Sequence, residues 1–299
     1  MPDFAVHKIF GEELLPSPQV QNILLGPREL APWLWGLQGP DPLFFRGKTA
    51  SAGSRMHQGP PEKLFQALTA YLGRLSGPPR DTAAAWLWGF LAHYVLDRTV
   101  HPYVLSKQKE LSHLIPGATG NALHYQVETD MDTDLYLLVH RAPVTSMDPS
   151  RGMALEPWQK DVLAGMLSAG AWGAFGLSLP PAEIIRALDS AAFTQRLIFR
   201  GDKPLRAAAR GAEWLLGRRG QLTGHMKGRR PRWDSLNLGR APWTDPRDGA
   251  RRTETVPELL EAARRDLLPL MDALRERAGQ KDPTPLPLGG VDFSGFRRG

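Results

Sequence analysis

The sequence predicts an all-α fold, a single multi-helix domain, on three observations. Apolar residues recur at helical spacing along most of the chain, and alternating strand-like patterns are scarce. Several of these periodic segments begin with proline and end with glycine, as helices commonly do. At 299 residues, 42% of them hydrophobic, the chain can bury a sizeable core. We expect the helical domain to cover residues 1–282, followed by a C-terminal tail over 283–299 that is either ordered by contact or disordered.

Two helices are predicted in the first quarter of the chain. One contains His7, and the other spans residues 61–75, where leucines three and four positions apart form one stripe. Between them, "WGLQGPDPLFFRGKTASAGSRMH" is rich in glycine and proline, which favours a loop. Asp41 and His57 belong to this predicted loop.

The most apolar segment predicts a buried helix from Thr82 to His101. Asp81 is suited to cap its start. Pro102 cannot continue the helix without the loss of a backbone hydrogen bond, so we expect His101 in the last turn. The uncharged apolar run, residues 82–95, is shorter than the roughly 20 residues that a membrane span needs.

Further helices are expected over residues 121–141, 181–200, 204–217 and 256–279, the last with a kink at Pro269. No internal repeat and no linker interrupts them. One domain is therefore the simplest interpretation of the pattern.

Composition excludes several classes of site. The chain has no cysteine, which excludes disulfides, thiolate catalysis and cysteine-based zinc sites, so any metal must be held by His, Asp or Glu. The N-terminus has no basic segment followed by an apolar run, and we expect a cytoplasmic protein.

Net charge is +6, and residues 196–252 hold fifteen Lys or Arg against five Asp or Glu. This region is either a solvated basic face or a rim that attracts an anionic substrate or membrane surface.

Polar residues recur at a spacing of four within the most apolar helix. His93, Asp97 and His101 follow this spacing, and His124 and Glu128 repeat it on a later helix. Side chains four apart on a helix lie on one face with Cβ atoms about 5–6 Å apart, so two of them can reach a single zinc ion. The sequence therefore predicts two metal half-sites.

Alternatives without a metal remain at this stage. A single histidine on an apolar face is commonly a hydrogen-bonded core residue, and His7 and His57 fit that interpretation when taken singly. His93 with Asp97 is also compatible with a buried ion pair, and His124 with a surface pair to Glu128. A buried cluster of all these groups, however, needs a compensating charge, which a metal ion supplies.

The segment "FLAHYVLDRTVHPY", followed by "HYQVE", resembles the zinc-dependent phospholipase C family, which is related to single-strand-specific fungal nucleases. The family pattern is an early His, an Asp and a His in a loop, His-x-x-x-Asp, a further His and His-x-x-x-Glu. The resemblance covers roughly residues 4–138. Matching residues occur here in the same chain order: His7, Asp41, His57, His93, Asp97, His101, His124 and Glu128.

The resemblance implies two or three Zn²⁺ ions in one cleft of an all-α fold. One ion would be held by Asp41, His57, His93 and Asp97; a second by His101, His124 and Glu128; and a third by His7 together with Asp97, which would bridge two ions. We expect Asp132, one turn beyond Glu128, to accept a hydrogen bond from a ligand imidazole and so orient it.

The implied activity is hydrolysis of phosphate esters by a metal-activated water, as in phospholipase C, with Asp41 as the general base beside its ligand role. Phe44 and Phe45 are expected to offer aromatic surface to the substrate, and Arg46 a contact to phosphate. The resemblance implies a phosphate-ester substrate, phospholipid being one candidate. Peripheral contact with an anionic membrane is a further expectation.

Three departures from the family bear on these expectations. Secreted members complete the third zinc site with an N-terminal tryptophan, whereas this chain begins Met-Pro-Asp. Pro42 stands where choline-selective members have an aromatic residue, so a choline pocket does not carry over. The spacing from Asp97 to His101 is also two residues shorter than in the secreted lipase.

Two alternative functions follow from the same sequence. Trp214, Trp233 and Trp243 lie within the basic region and are compatible with a nuclease that stacks single-stranded nucleic acid on aromatic side chains. Against this, the nuclease branch ends its pattern in His-x-x-x-Asp, whereas Glu128 stands here. The second alternative is a non-catalytic metal-binding protein with closed zinc sites.

Overall fold

A computed structural model describes residues 4–24, 26–114, 120–201, 203–215, 223–228, 231, 233–280 and 282–297. These residues form eleven α-helices and one short antiparallel hairpin, which confirms the predicted all-α fold. The helices are α1 (Phe4–Leu14), α2 (Pro18–Gln21), α3 (Leu30–Gly36), α4 (Gly47–Gln58), α5 (Pro61–Leu72), α6 (Gly77–Leu114), α7 (Gly120–His140), α8 (Pro157–Phe175), α9 (Pro181–Phe199), α10 (Lys203–Leu215) and α11 (Val256–Arg277). The hairpin pairs β1 (Trp243–Thr244) with β2 (Arg251–Arg252).

Helix α6 is the centre of the fold and contacts α1, α3, α5, α7, α8 and α11. It buries Trp86, Phe90 and Tyr94. Its closest approach is to α3, where two glycines face each other: a Cβ added at Gly89 would lie 2.4 Å from the Trp33 carbonyl oxygen and 3.0 Å from the Cα of Gly36. The two backbones are therefore in direct contact on one side of the helix that carries the predicted ligands.

The prediction that the apolar helix ends at His101 is wrong, because α6 continues through Pro102 to Leu114. A proline inside a helix removes one backbone hydrogen bond and costs about 3 kcal/mol. Packing on several sides of α6 outweighs this cost. The C-terminal segment also lies against this position, since a Cβ added at Gly295 would lie 2.6 Å from the Arg98 carbonyl oxygen, the acceptor that Pro102 cannot use. Asp81 consequently lies inside α6 and not at its cap.

The predicted glycine-rich loop is largely helical. It contains α3, a 3₁₀ turn over Asp41–Phe45 and the twelve-residue α4, so His57 lies in the last turn of a helix and not in a loop. Glycine permits close packing there, because a Cβ at Gly53 would lie 3.2–3.3 Å from Leu43 and Phe44. The sequence criterion took glycine as a sign of a turn, whereas here it marks close packing of the 3₁₀ turn on α4.

The later helices agree with their predicted ranges within a few residues, and α11 runs through Pro269 as one helix. The sequence analysis did not identify α8, which begins with a capping box formed by Glu156 and Gln159. None of the helices in the described part of the chain combines the length and the apolar character that crossing a bilayer requires.

The C-terminal segment packs against the core. Over residues 282–297 the predicted tail is therefore ordered by contact and not disordered. The Tyr94 hydroxyl donates to the Val291 carbonyl at 2.6 Å, and the Gly290 amide donates to Glu62 at 2.6 Å. Phe293 is buried among Tyr94, Phe90 and two histidines of the predicted site. This segment belongs to the same domain and reaches the functional region.

Asp245 secures the hairpin and makes its stability sensitive to acid. Its buried carboxylate accepts hydrogen bonds from Arg247 and Arg252. Burial alone would raise the pKa of Asp245, but the bonds from Arg247 and then Arg252 lower it from 3.8 to about 2. A depressed carboxyl pKa stabilises the fold above the unfolded value and loses that stabilisation as pH falls from 3.8 toward 2.

Replacing Asp245 with asparagine is therefore expected to lower the free energy of unfolding at neutral pH by about 1 kcal/mol. This figure is reduced for solvent screening, because the two guanidinium groups are about one-third exposed. Urea titrations at pH 7 and at pH 2 measure the difference between the two proteins. The difference should shrink toward the lower pH, and a constant difference would contradict the role given to Asp245.

Candidate metal centre

Five of the predicted ligands meet in one place: His7 from α1, Asp41 from the 3₁₀ turn, His57 from α4, and His93 and Asp97 from α6. We refer to these five residues as the buried cluster. The Nε2 atom of His7 lies 3.2 Å from Asp97 Oδ1, and Nε2 of His93 lies 3.3 Å from Asp97 Oδ2. On the other side, Nε2 of His57 lies 3.1 Å from Asp41 Oδ1. The fold therefore unites residues that are up to 90 positions apart in the sequence.

Within the buried cluster, two sets of three residues have ligand atoms that all lie within 4.8 Å of one another. They are His7, Asp41 and His93, and His57, His93 and Asp97. His93 belongs to both sets, and its ring stacks on that of His7 with centroids 4.3 Å apart. The arrangement has the spacing of a metal site with more than one position for an ion.

The polar atoms of the buried cluster approach one another without forming hydrogen bonds. Both oxygens of Asp97, Oδ1 of Asp41 and the Nε2 atoms of the three histidines are buried and have no hydrogen-bond partner. Such groups are costly to bury unless a ligand satisfies them. Ligand atoms about 2.0–2.1 Å from a tetrahedral zinc lie about 3.3–3.4 Å apart, close to the observed separations. A cation bound among these atoms would satisfy them.

Backbone carbonyls set the orientation of two imidazoles. Nδ1 of His57 lies 2.8 Å from the Gly53 carbonyl oxygen, and Nδ1 of His93 lies 3.0 Å from that of Leu37. A carbonyl oxygen only accepts, so Nδ1 donates in each ring and Nε2 is directed at the buried cluster. Such a hydrogen bond from the other ring nitrogen is typical of histidines that bind metal.

Asp132 holds the helix that carries His7. Its carboxylate accepts hydrogen bonds from the backbone amides of Ala5 at 3.0 Å and Val6 at 2.8 Å, and it pairs with the buried Lys227 at 2.7 Å. We expected Asp132 to orient a ligand imidazole directly. Its contacts are instead with the first turn of α1 and with Lys227. By fixing that turn, Asp132 sets the position of His7.

Asp97 stays ionised in its buried position. Burial alone would raise the pKa of Asp97, but the neighbouring His93, and then His7, lower it well below its usual value. A fully buried carboxylate that remains charged is an acceptor for a cation. Asp97 lies between His7 and His93, and together with His57 and His93 it forms one of the two sets of three that could hold such a cation.

The second predicted set is less closely gathered. Nε2 of His124 lies 2.9 Å from Glu128 Oε1, and the rings of His101 and His124 have centroids 5.0 Å apart. His101, His124 and Glu128 are not, however, among the sets of three described residues whose ligand atoms lie within 4.8 Å of one another. Burial lowers the pKa of His101 well below its usual value, which keeps this imidazole neutral and able to coordinate.

A cavity of about 1070 Å³ joins the two sets of residues. Its wall includes Asp41 and His57 from the buried cluster, and all three residues of the second set. Much of the remaining wall is apolar, formed by residues such as Phe4, Trp35, Phe44, Phe45, Leu105, Met153, Leu197, Ile198, Leu205 and Phe293. Five of the eight predicted ligands therefore line one pocket that also has a large apolar surface.

Two of the three predicted substrate contacts line the cavity, and the third does not. Phe44 and Phe45 line the cavity, and Phe44 is 41% exposed. Arg46 does not line it and instead lies 3.6 Å from Glu183, so the phosphate contact predicted for Arg46 finds no support in its position.

Sequence reasoning missed Arg196, which is the single arginine or lysine among the described residues of the cavity wall. It also missed Phe293 and Ser294, which reach the wall from the C-terminal segment. Arg196 is the first residue of the basic region, residues 196–252. Its place in that region is the only feature of the sequence that points to Arg196.

The three tryptophans of the basic region do not form a stacking surface together. Trp243 is 2% exposed and packs edge-on against Tyr103, and partly buried Trp233 donates its indole hydrogen to Asp130 at 2.8 Å. Trp214 alone of the three is well exposed. The aromatic feature that favoured a single-strand nuclease is therefore largely part of the core.

Comparison of the chain with protein-family models, with curated proteins and with solved structures gives no match. The resemblance to zinc-dependent phospholipases C accordingly depends on the ligand-type residues and their order alone. Residues 1–3, where the expectation about the N-terminal ligand fell, lie outside the described residues.

Proposed function

We propose that this chain is a zinc-dependent hydrolase of phosphate esters that acts in the manner of a phospholipase C. One observation carries the proposal: buried imidazole and carboxylate atoms without hydrogen bonds gather in one cluster, and two of its residues, Asp41 and His57, form part of the wall of a large cavity. A structural core pair would instead satisfy its polar atoms within the protein. The ladder of residues four apart on α6 supplies the centre of this arrangement.

The residues of the buried cluster fit zinc. Imidazole nitrogen and carboxylate oxygen are its ligands in the absence of cysteine, and His7, Asp41, His57, His93 and Asp97 offer both kinds. When bound, zinc neutralises phosphate charge and lowers the pKa of water to about 7. The hydrogen bonds that Nδ1 of His57 and Nδ1 of His93 donate to backbone carbonyls leave the Nε2 atoms to face such an ion.

Asp41 is placed to act as the general base. It lies at the boundary between the buried cluster and the cavity, and its side chain is 19% exposed, whereas that of Asp97 is fully buried. A water that enters from the cavity reaches Asp41 first. Its carboxylate is held beside His57, which fixes its direction, and it can take a proton from that water during attack on phosphorus.

The cavity wall offers separate surfaces for the charged and apolar parts of a substrate. Arg196 presents a guanidinium group suited to phosphate oxygens. Phe44, together with the other apolar residues of the wall, can accommodate an acyl chain or another apolar substituent. These contacts would place the phosphate toward Asp41.

The proposal is tested by incubation of zinc-supplied protein with a short-chain phosphatidylcholine, an aryl phosphodiester and an aryl phosphomonoester. We expect hydrolysis of at least one diester, and loss of that activity after chelation with recovery when zinc returns. Zinc bound without turnover of any of the three would contradict the proposal and favour the non-catalytic metal-binding alternative.

Replacing Arg196 with glutamine is expected to raise KM about tenfold, since a hydrogen bond to a charged group contributes about 1.5–3 kcal/mol. Zinc content should not change, because Arg196 is not part of the buried cluster. Arg200→Gln removes the same charge one turn along from a position that does not line the cavity, and is the matched control. Equal KM values for both variants would remove Arg196 from the substrate site.

A further inference from the structure

Helix α10 is amphipathic, but it packs on the protein through its polar side. Arg206 donates to the carbonyl oxygens of Met226 and Lys227, both at 2.6 Å. The buried carboxylate of Glu213 accepts hydrogen bonds from the amide of Thr223 at 2.7 Å and from its hydroxyl at 2.9 Å. An ordinary surface helix packs through its apolar stripe instead. The orientation of α10 is thus the reverse of the usual one.

The apolar side of α10 consequently points outward. Ala208, Ala212 and Leu215 recur at helical spacing and are exposed, Leu215 to 77%. Trp214, 64% exposed, lies on the same outward arc. We call these four residues the outward face of α10. Within the described part of the chain, no residue buries these side chains.

Basic residues lie at one edge of the outward face, and the cavity lies at the other. Lys203 and Arg210 are exposed and fall on the side of the helix next to Trp214. Leu205 and Ala209 follow the apolar stripe inward and line the cavity. Around the helix axis, the surface of α10 is therefore first cationic, then aromatic, then aliphatic. The residues that line the cavity come next.

We propose that the outward face of α10 docks on an anionic lipid bilayer. An interfacial helix combines Trp and Leu on one face with Lys and Arg beside it, and long basic side chains extend to the headgroups while the apolar face inserts. The exposed Lys203 and Arg210 at the edge of this face complement anionic headgroups. Docking here would place the part of the cavity wall formed by Leu205 and Ala209 next to the bilayer.

This proposal goes beyond hydrolysis and does not depend on it. Binding to a bilayer requires the outward face and its basic edge, whereas turnover requires the buried cluster. The two can fail separately, because variants of the outward face, which does not line the cavity, should leave the hydrolysis of a water-soluble ester unchanged.

The test is co-sedimentation of the full chain with vesicles of phosphatidylcholine alone and of phosphatidylcholine with phosphatidylserine. We expect clear binding to the mixed vesicles and weak binding to the neutral ones. Arg210→Gln should weaken binding to the mixed vesicles about fivefold, which corresponds to ~1 kcal/mol per basic residue. Trp214→Ala with Leu215→Ser should weaken it about tenfold or more, because less apolar surface is inserted.

Leu238→Ser, which alters a leucine that is 52% exposed and lies outside α10, is the matched control and should bind as the wild type does. Equal binding to both kinds of vesicle, or an equal loss with the Leu238 variant, would overturn the proposal. So would a dimer, measured by sedimentation velocity, that the α10 double variant dissociates without any change in vesicle binding. In that case the outward face would join two copies of the chain.

Discussion

Replacing Asp97 with asparagine is expected to reduce zinc content sharply and to lower the rate of phosphate ester hydrolysis by at least about 100-fold. Asp97 is fully buried, and its two oxygens face His7 and His93. Asparagine keeps the size but loses the charge, and its amide directs a donor toward an imidazole or an ion. Atomic emission measures zinc per chain, and turnover of the best diester measures the activity.

Asp245→Asn is the matched control for this experiment. It makes the same chemical change at another buried aspartate, whose partners are the arginines of the hairpin and not the buried cluster. We expect this control to keep its zinc and its turnover and to lose only stability. If Asp97→Asn retained both zinc and turnover, Asp97 would not be a ligand and the proposed mechanism would be wrong.

Replacing Gly89 with alanine is expected to lower the free energy of unfolding by about 3 kcal/mol or more. The added Cβ would lie 2.4 Å from the Trp33 carbonyl oxygen and 3.0 Å from the Leu37 amide nitrogen. These are backbone atoms, so the clash is relieved only if α3 moves away from α6. Such a shift also moves the Leu37 carbonyl, which holds Nδ1 of His93.

Urea denaturation of the zinc-free and zinc-supplied proteins measures both effects of the Gly89 substitution. Wild type should gain more stability from zinc than the variant does. Gly211→Ala on α10 is the control, because nothing lies within 4 Å of its added Cβ, and it should stabilise the chain by about 1 kcal/mol or less. An unchanged unfolding midpoint for Gly89→Ala would mean that α3 and α6 are not in the contact described.

The spacing of residues in the sequence predicted those parts of the site that lie within a single helix. His93 with Asp97, and His124 with Glu128, lie four residues apart on helices that the structure confirms, and each pair is in contact. The position of His7 was beyond such reasoning, because it depends on α1 being held by Asp132, which is more than 120 residues away. The resemblance to a known family supplied that residue instead.

Local rules also failed where tertiary packing outweighed them. Pro102 and the glycines around His57 are breakers by propensity, yet α6 and α4 persist because neighbouring elements bury them. Arg46 and Arg196 show a related limit. Both are arginines near apolar residues in sequence, and only the packing of α9 against the 3₁₀ turn decides which of them reaches the cavity.

Anomalous X-ray diffraction at the zinc absorption edge, from crystals grown with zinc, locates the ion without reference to activity. We predict a peak within coordinating distance of Asp97 and of the Nε2 atom of His93, with His7 or His57 as a further neighbour. Protein at saturating zinc with no peak among these residues would contradict a metal centre in the buried cluster.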